Sequence, residues 1–298
     1  MKEIQGINAV IAATFDDHGA YDFDSFKNLI NHLIKIGTNG ITTFGIATEF
    51  YKLSEEEKLE MVRILTALTK SSPTYAVASV TDHSTELAVK RAKLYAKMGV
   101  DALMLLPPFF LNPSIEQIKA HMKAVLEAVD IPVLVQYAPG ETKKIIPAEE
   151  MATIEHTYPH AIFKLEPNPP MDYVRQMLQL APKAKIMIGY AGLYMLDVMA
   201  AGGVGTMPGC SFAEIYLAIQ QRWRAGDHEG ALALHSQLMK YVRIWMSHPE
   251  YIINAEKVIL KQRSIIKSDY CRAPYWKLDK EDYARIDAFL TEFKDYLS

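Results

Sequence analysis

TYAVASVTDHSTELAVKRAKLYAKMGVDALMLLPP, residues 74–108, contains one complete unit of the pattern that decides the fold. A short apolar run rich in strand formers begins at residue 74, an amphipathic stretch with helical spacing at residue 84, and a second apolar run at residue 102. Ser84 and Gly99 stand where the N-cap and the C-cap of that helix are expected. The stretch therefore predicts two parallel strands joined by a helix.

The same alternation continues along the chain through residue 227. Helices are predicted at 22–37, 54–70, 84–99 and 114–129, with capping residues at Ser54, Ser114 and Gly37. Eight parallel strands with no break in composition are best closed as a (β/α)8 TIM barrel, and a doubly wound sheet is the alternative. The eight predicted strands are GINAVIAATF from 6, GITTFGIATE from 40, TYAVASV from 74, ALMLLPP from 102, PVLVQYAP from 132, AIFKLEP from 161, AKIMIGYAG from 184 and GGVGTMPG from 202.

The last part of the chain has helical spacing and no strand pattern of similar length. ALALHSQLMKYVRIWM, AEKVILKQRSII and KEDYARIDAFLTEFKDYL are its helical segments. We therefore predict a barrel over residues 1–227 and a C-terminal helical extension over residues 228–298.

Charge and composition exclude several classes of partner. The chain has 32 Lys and Arg against 35 Asp and Glu, a net charge of -3, which argues against binding to nucleic acid or to an anionic membrane. No apolar stretch is long enough to span a bilayer, and the N-terminal residues do not resemble a signal peptide. We predict a cytoplasmic protein.

Cysteine and histidine usage indicates neither disulfides nor a metal site. Cys210 and Cys271 lie far apart without zinc-site spacing, which fits a reducing compartment. The nine histidines are scattered and no HExxH motif occurs. We predict no metal and no cofactor.

Lys164 lies within AIFKLEP, a run otherwise typical of a buried strand. An isolated lysine would extend to solvent or pair with Glu166. At the carboxyl end of a barrel strand, where active sites of this fold lie, burial instead favours the neutral amine, which attacks ketones to form imines. Tyr137, at the end of the preceding strand, is a candidate proton carrier; the alternative is a core tyrosine with a satisfied hydroxyl.

Several motifs resemble those of the dihydrodipicolinate synthase and N-acetylneuraminate lyase family, in order and spacing. They are FGIATEFYKLSEEEK, LLPPFFLNPS, YAPG followed by FKLEP, GGVGTMPG and LKQRSIIKSDYCRAP. The resemblance implies a (β/α)8 barrel that binds pyruvate or another 2-keto acid as a Schiff base and forms a homo-oligomer, a dimer or a tetramer. It implies that Lys164 forms the imine and that Tyr137 shuttles protons. The substrate-binding residues that it implies are Gly45, Ile46, Ala47, Thr48, Glu49, Phe110, Glu141, Glu166 and Gly205.

Three departures from the family pattern bear on the substrate. Ile46 and Ala47 replace hydroxyl residues of the carboxylate-binding loop, which leaves backbone N–H donors there. Phe110 replaces the second tyrosine of the proton relay, and a phenyl ring cannot pass a proton. Ala138 and Glu141 replace an asparagine and an arginine, and Glu141 would repel an anionic second substrate.

These observations predict a Schiff-base-forming lyase or aldolase that is not an authentic dihydrodipicolinate synthase. Its 2-keto acid substrate would have a neutral, apolar or cationic far end, in a pocket lined by Phe109, Phe110, Ile46 and Leu111. One alternative is a dehydratase of 2-keto-3-deoxy sugar acids, and another is a non-catalytic ligand-binding member. A phosphate cradle at 202–209 is a third, although its glycines match neither a dinucleotide fingerprint nor a P-loop.

Overall fold

A computed structural model describes residues 2–297. Its eight parallel strands close into a barrel in sequence order. The predicted (β/α)8 barrel is thereby confirmed, and the doubly wound alternative is wrong. The strands are β1 (Gly6–Val10), β2 (Gly40–Thr43), β3 (Tyr75–Val80), β4 (Ala102–Leu105), β5 (Val133–Tyr137), β6 (Ala161–Leu165), β7 (Ile186–Ile188) and β8 (Gly205–Thr206).

Helices fill the connections between strands, and two of them lie between β5 and β6. Three further helices, α10 to α12, confirm the predicted C-terminal helical segments. The helices are α1 (Phe23–Lys35), α2 (Glu55–Thr69), α3 (Thr85–Lys97), α4 (Ile115–Leu126), α5 (Pro139–Thr142), α6 (Ala148–Thr157), α7 (Met171–Leu180), α8 (Met195–Ala200), α9 (Ala213–Arg224), α10 (His228–Trp245), α11 (Pro249–Gln262) and α12 (Lys280–Glu292).

Capping residues begin and end the helices where the sequence predicts. The side chains of Ser54, Ser84 and Ser114 accept backbone N–H groups of the first turns of α2, α3 and α4. Gly37 and Gly99 follow α1 and α3 with positive φ angles of 83° and 92°, a conformation that favours glycine. These caps satisfy backbone groups that a helix end leaves without intrahelical partners.

The strands are shorter than the apolar runs that predict them. GINAVIAATF begins at residue 6, for example, but β1 ends at Val10. Every strand residue is buried, as expected for a parallel sheet covered on both faces. The apolar character continues past the strand ends because the following loop residues, such as Ile11 and Phe15, are also buried.

The chain divides into two compact units. One comprises the residues up to Gln5 together with Tyr75–Thr206, and the other comprises Gly6–Thr74 together with the residues from Met207 onward. The first contains β3 to β8, and the second contains β1, β2 and the C-terminal helices. The predicted division after residue 227 falls between α9 and α10 and stays a prediction. Within residues 2–297, no helix is both long enough and apolar enough to cross a bilayer.

Candidate active site

Strand register in the first unit determines which side chains share a face with Lys164. Gln136 of β5 is in register with Lys164 of β6, and Lys164 is in register with Met187 of β7. Met187 is in register with Gly205 of β8. Residues in register on parallel neighbouring strands project to the same face, and consecutive residues alternate between faces. Gln136, Lys164 and Gly205 therefore share one face, although they come from three different strands.

Lys164 is 6% exposed, and its amine contacts a carboxylate. Its Nζ lies 3.3 Å from Oε1 of Glu166. The other oxygen of that carboxylate, Oε2, accepts a hydrogen bond of 2.6 Å from Nε2 of Gln136. The structure thus brings together a buried amine, a carboxylate that can exchange a proton with it, and an amide that orients the carboxylate.

The loop after β7 packs against the same carboxylate. The N–H of Tyr190 donates to Glu166 Oε1 at 3.4 Å. A Cβ at Gly189 would stand 1.8 Å from that oxygen, so only glycine allows the backbone to approach so closely. Tyr190 and Ala191 have left-handed φ angles of 49° and 47°, which are unfavourable for residues with a Cβ.

The phenol of Tyr190 extends toward the loop after β5. Its Oη lies 3.4 Å from the position of a Cβ built on Gly140, in α5. Burial, Glu141 and Glu166, in that order, raise the pKa of Tyr190 to about 12. Glu141 is an exposed residue, yet loss of water around its carboxyl raises its pKa, and Glu166 raises it further. Two carboxylates and a phenol therefore lie around the end of β6.

Tyr190 was not among the residues that the sequence indicates. The available signal was its place at the end of a predicted strand, in IGYAG, where reactive residues of barrels are found. Glu141 and Glu166, by contrast, were predicted to bind substrate. The structure places both next to Tyr190, and Glu166 contacts Lys164 directly.

Tyr137 lies on the opposite face of the sheet from Lys164. It is in register with Leu165, one residue beyond Lys164. Its ring stacks on Tyr173 of α7 at a centroid distance of 4.7 Å, so it faces the helices. Burial raises the pKa of its phenol, and a backbone hydrogen bond from Ile146 partly offsets that rise. The expected contact with the lysine is replaced by packing between sheet and helix, because side chains alternate along a strand.

The loop Gly45–Glu49 lies in the second unit. Ile46–Thr48 form a single 3-10 turn, and a Cβ at Gly45 would stand 2.6 Å from Cγ1 of Val10. The hydroxyl of Thr48 donates to the carbonyl of Ile11 at 2.6 Å. Ile46 and Ala47 are half-buried. This hydroxyl therefore holds the loop to the segment after β1.

Glu49 belongs to a buried ion-pair cluster of the second unit. Its Oε1 lies 3.0 Å from Nζ of Lys52, and its Oε2 contacts Nζ of Lys257. Lys52 also pairs with Glu250 at 2.8 Å, and Lys257 donates to the carbonyl of Tyr270 at 3.2 Å. Both oxygens of Glu49 have cationic partners within the protein.

Phe110 lies on the surface of this chain. It is 69% exposed, and the following Leu111 is 88% exposed. The Phe110 ring lies 6.0 Å from the imidazole of His83, and Phe109 lies 4.9 Å from the same ring. A role for these side chains in lining the substrate site stays a prediction.

The two cysteines of the described chain form no disulfide. Cys210 and Cys271 are free and buried, and burial raises the pKa of Cys271 to about 11. Across residues 2–297, no group of three or more His, Cys, Asp or Glu side chains has an arrangement that could hold a metal ion.

The fold and the Lys164 cluster define a (β/α)8-barrel protein with a buried amine at the end of its sixth strand. The chain belongs to the dihydrodipicolinate synthetase family, whose profile matches residues 3–293. Members of this family are lyases of the aldolase type.

Individual relatives agree with this family over most of the chain. The 4-hydroxy-tetrahydrodipicolinate synthase of Methanopyrus kandleri is 24% identical over 240 residues, 80% of each chain. An uncharacterized DapA-like lyase of Thermofilum pendens is 23% identical over 274 residues, 90% of each. The YagE prophage protein of E. coli K12, solved in complex with pyruvate, superposes with a TM-score of 0.89 at 19% identity, covering 99% of both chains. At that identity the structural likeness shows the fold alone.

Proposed function

We propose that this protein is a Schiff-base-forming lyase of the aldolase type that acts on pyruvate or another 2-keto acid through Lys164. The observation that carries the proposal is the buried Lys164, 6% exposed, with a carboxylate oxygen 3.3 Å from its amine. An ammonium must lose a proton before it can attack a ketone, and Glu166 is placed to accept it.

The proposed reaction begins with transfer of a proton from the Lys164 ammonium to Glu166. The neutral amine attacks the ketone carbon, and a proton moves from the resulting nitrogen cation to the oxygen to give a neutral carbinolamine. Loss of water from this adduct gives a protonated imine, which withdraws electrons from the neighbouring bond and so allows its cleavage or formation. The hydrogen bond from Gln136 keeps the Glu166 carboxylate oriented toward the amine.

The proposed substrate contacts of the Lys164 site involve Gly205 and Glu141. Gly205 shares the face of Lys164, and its lack of a side chain leaves room for a small keto acid. A role of the Gly45–Glu49 loop in holding the keto-acid carboxylate stays a prediction. Glu141 is proposed to exclude substrates with a second carboxylate at the far end, because two carboxylates in a partly dehydrated site repel each other.

A hydro-lyase acting on a 2-keto-3-deoxy sugar acid is the second candidate. The observation that favours it is the Tyr190 hydroxyl beside Gly140, with the carboxyls of Glu141 and Glu166 close enough to raise its pKa, since these groups donate to and accept from hydroxyls. The third candidate, a non-catalytic ligand-binding protein, is favoured by the placement of Tyr137 on the face opposite Lys164.

Borohydride trapping separates the two Schiff-base candidates from the non-catalytic one. The protein is incubated with pyruvate and a panel of longer 2-keto acids, reduced, digested and analysed by mass spectrometry. The proposal expects an adduct on the peptide that contains Lys164, no adduct in Lys164→Ala, and an unchanged adduct in Lys185→Ala, which removes an exposed lysine at the start of β7. Absence of an adduct with every keto acid would favour the non-catalytic candidate and end the proposal.

The assembly and location of the protein are also proposals. We propose a homo-oligomer, dimer or tetramer, located in the cytoplasm, with no nucleic-acid or membrane partner. Light scattering coupled to size-exclusion chromatography measures the assembly directly. A monomer at micromolar concentration would contradict the first of these proposals.

A further inference from the structure

A single tyrosine side chain links the loops at the ends of three neighbouring strands of the first unit. Tyr190 begins on the loop after β7, where its N–H donates to Glu166 at the end of β6. Its hydroxyl ends 3.4 Å from the Cβ position of Gly140, in the loop after β5. Because β6 lies between β5 and β7 in the barrel, this side chain passes over the end of β6, where Lys164 and Glu166 lie.

The loop is constrained to hold the phenol in this place. Two consecutive residues with a Cβ, Tyr190 and Ala191, have left-handed φ angles, and such conformations persist where the surroundings fix them. Gly189 has no room for a side chain, because a Cβ there would meet the Glu166 carboxylate. The same oxygen, Oε1 of Glu166, contacts both the Lys164 amine and the Tyr190 N–H. This oxygen of Glu166 therefore bridges the backbone N–H of Tyr190 and the amine of Lys164.

We propose that Tyr190, and not Tyr137, is the catalytic residue that carries protons to and from the keto acid bound at Lys164. This assignment rests on the proposed Schiff-base function. The residue predicted for the task, Tyr137, projects to the helix side of the sheet and stacks on Tyr173. Gln136 occupies the position beside Lys164, and an amide cannot act as a general acid or base. The N–H of Tyr190 lies against Glu166, and its hydroxyl ends beside Gly140, the residue before Glu141.

The proposed steps conserve atoms and charge. The Tyr190 hydroxyl donates its proton to the hydroxyl of the carbinolamine, whose C–O bond breaks to release water and leave the protonated imine. The resulting phenoxide then removes a proton from C3 of the imine, and the electrons of that C–H bond form the enamine. The phenol is regenerated, and the reverse sequence returns the proton to C3.

The charges around Tyr190 suit a proton carrier that is deprotonated only briefly. Burial and the carboxyls of Glu141 and Glu166 raise the pKa of Tyr190 to about 12, so the phenol form prevails in the resting protein. A phenoxide with a raised pKa is a correspondingly strong base toward C3. Glu141, which follows Gly140 beside the Tyr190 hydroxyl and whose own pKa is raised, is proposed to return a proton from solvent.

The test separates imine formation from proton transfer. Pyruvate is incubated with the full-length protein in D2O, and exchange of its methyl protons is followed by NMR, while the final yield of Lys164 adduct is measured by borohydride trapping. Tyr190→Phe is expected to slow exchange by about 10²–10⁴-fold and to leave the final adduct yield within about twofold. A misfolded variant would instead lose adduct yield. Tyr190→Asn, which tolerates the left-handed backbone, should give the same result and serves if Tyr190→Phe does not fold.

Two other tyrosines provide matched controls. Tyr194→Phe removes a phenol four residues away that donates to Asn168 at 3.0 Å, and Tyr137→Phe removes the residue on the opposite face. Both variants should catalyse exchange of the pyruvate methyl protons at a rate within about threefold of the wild type. Unchanged exchange in Tyr190→Phe, a loss confined to Tyr137→Phe, or a wild-type adduct without exchange would each overturn the assignment. Absence of any wild-type adduct would refute the proposed Schiff-base function itself, which is a different result.

Discussion

Two pairs of lysine and glutamate in this protein differ in what surrounds them. In the first unit the side chains of Lys164 and Glu166 are 8% and 13% exposed, and Glu166 is held by an amide and a backbone N–H. In the second unit the side chains of Lys257 and Glu49 are 1% and 0% exposed, and Lys52 neutralises the same carboxylate from its other side. The residue types are the same, but the number of charged partners and the access to water differ.

This difference indicates which pair can react and which pair holds the fold. The Lys164 amine is the cation that contacts the Glu166 carboxylate, and its two hydrogen-bond donors, Gln136 and the Tyr190 N–H, are neutral, so we expect the amine to pass its proton to Glu166. Lys257 is fixed by Glu49, by the carbonyl of Tyr270 and by the face of Phe15, 4.5 Å from its Nζ. Removing one partner of such a pair leaves the other charge buried, which costs far more than losing an exposed pair.

The largest expected effect is on catalysis at Lys164. Lys164→Met should abolish the borohydride adduct, because no other amine replaces the nucleophile. The free energy of unfolding should change by about 1 kcal/mol or less, since Glu166 keeps its bonds from Gln136 and Tyr190. Urea unfolding followed by circular dichroism measures the second quantity. Strong destabilisation of this variant would show that Lys164, like Lys257, stabilises the fold, and would contradict the distinction between the two pairs.

The reverse pattern is expected at Lys257. Lys257→Met should lower the free energy of unfolding by about 3–5 kcal/mol, because Glu49 is left buried with one cation instead of two. The folded fraction should still form the Lys164 adduct. In the double variant Glu49→Gln/Lys257→Met, much of the lost stability should return, since no unpaired charge remains. Equal destabilisation by the single and double variants would show that packing, not charge, stabilises this cluster.

Glu256, which precedes Lys257 in α11, is a further buried carboxylic acid of the second unit. Glu256 is 3% exposed, and its carboxylate accepts hydrogen bonds from the backbone N–H groups of Cys210 and Ser211. Burial raises its pKa from 4.5 to about 7. The folded protein therefore binds this proton more tightly than the unfolded chain does, and the resulting stability is complete below about pH 4.5 and is lost as the pH rises toward 7.

The size of this pH effect can be checked against a neutral variant. The difference in pKa corresponds to about 3 kcal/mol of unfolding free energy between pH 4.5 and 7. Glu256→Gln should remove that contribution, so the stability of the wild type relative to the variant should fall by this amount over the range. Urea titrations at intervals of pH measure the difference. A constant difference across the range would mean that Glu256 ionises normally.

Much of the fold could be predicted because most strands and helices have a recognisable pattern in their own stretch of sequence. Apolar runs and capping residues such as Ser54 and Ser114 are visible in the sequence without any tertiary information. The position of Lys164 was also predictable, since a charged residue inside an apolar run is conspicuous. The sequence does not show which face of β5 Gln136 and Tyr137 occupy. Strands of a parallel sheet are buried on both faces, so their apolar residues do not alternate with polar ones.

The remaining parts of the two clusters depend on contacts between distant residues. Glu49 and Lys257 are far apart in the chain, and no local pattern connects them. Tyr190 reaches the Lys164 cluster because Gly189 lacks a side chain and the following residues take left-handed φ angles. Neither property can be read from IGYAG alone, since glycine adopts many conformations and tyrosine rarely adopts this one.

The smallest expected effect concerns Thr48, a predicted substrate ligand of the second unit. Its hydroxyl donates to the Ile11 carbonyl at 2.6 Å. Like the carboxylate of the neighbouring Glu49, it therefore has its partner inside the protein. Thr48→Val, which keeps the shape and removes this bond, should lower the free energy of unfolding by about 1 kcal/mol. The pyruvate concentration that half-saturates adduct formation should change less than about twofold. Thr48→Ser provides the control, because it keeps the hydroxyl and should retain most of the stability. A large rise in the half-saturating concentration for Thr48→Val, absent in Thr48→Ser, would move this hydroxyl from the structural cluster to the substrate site.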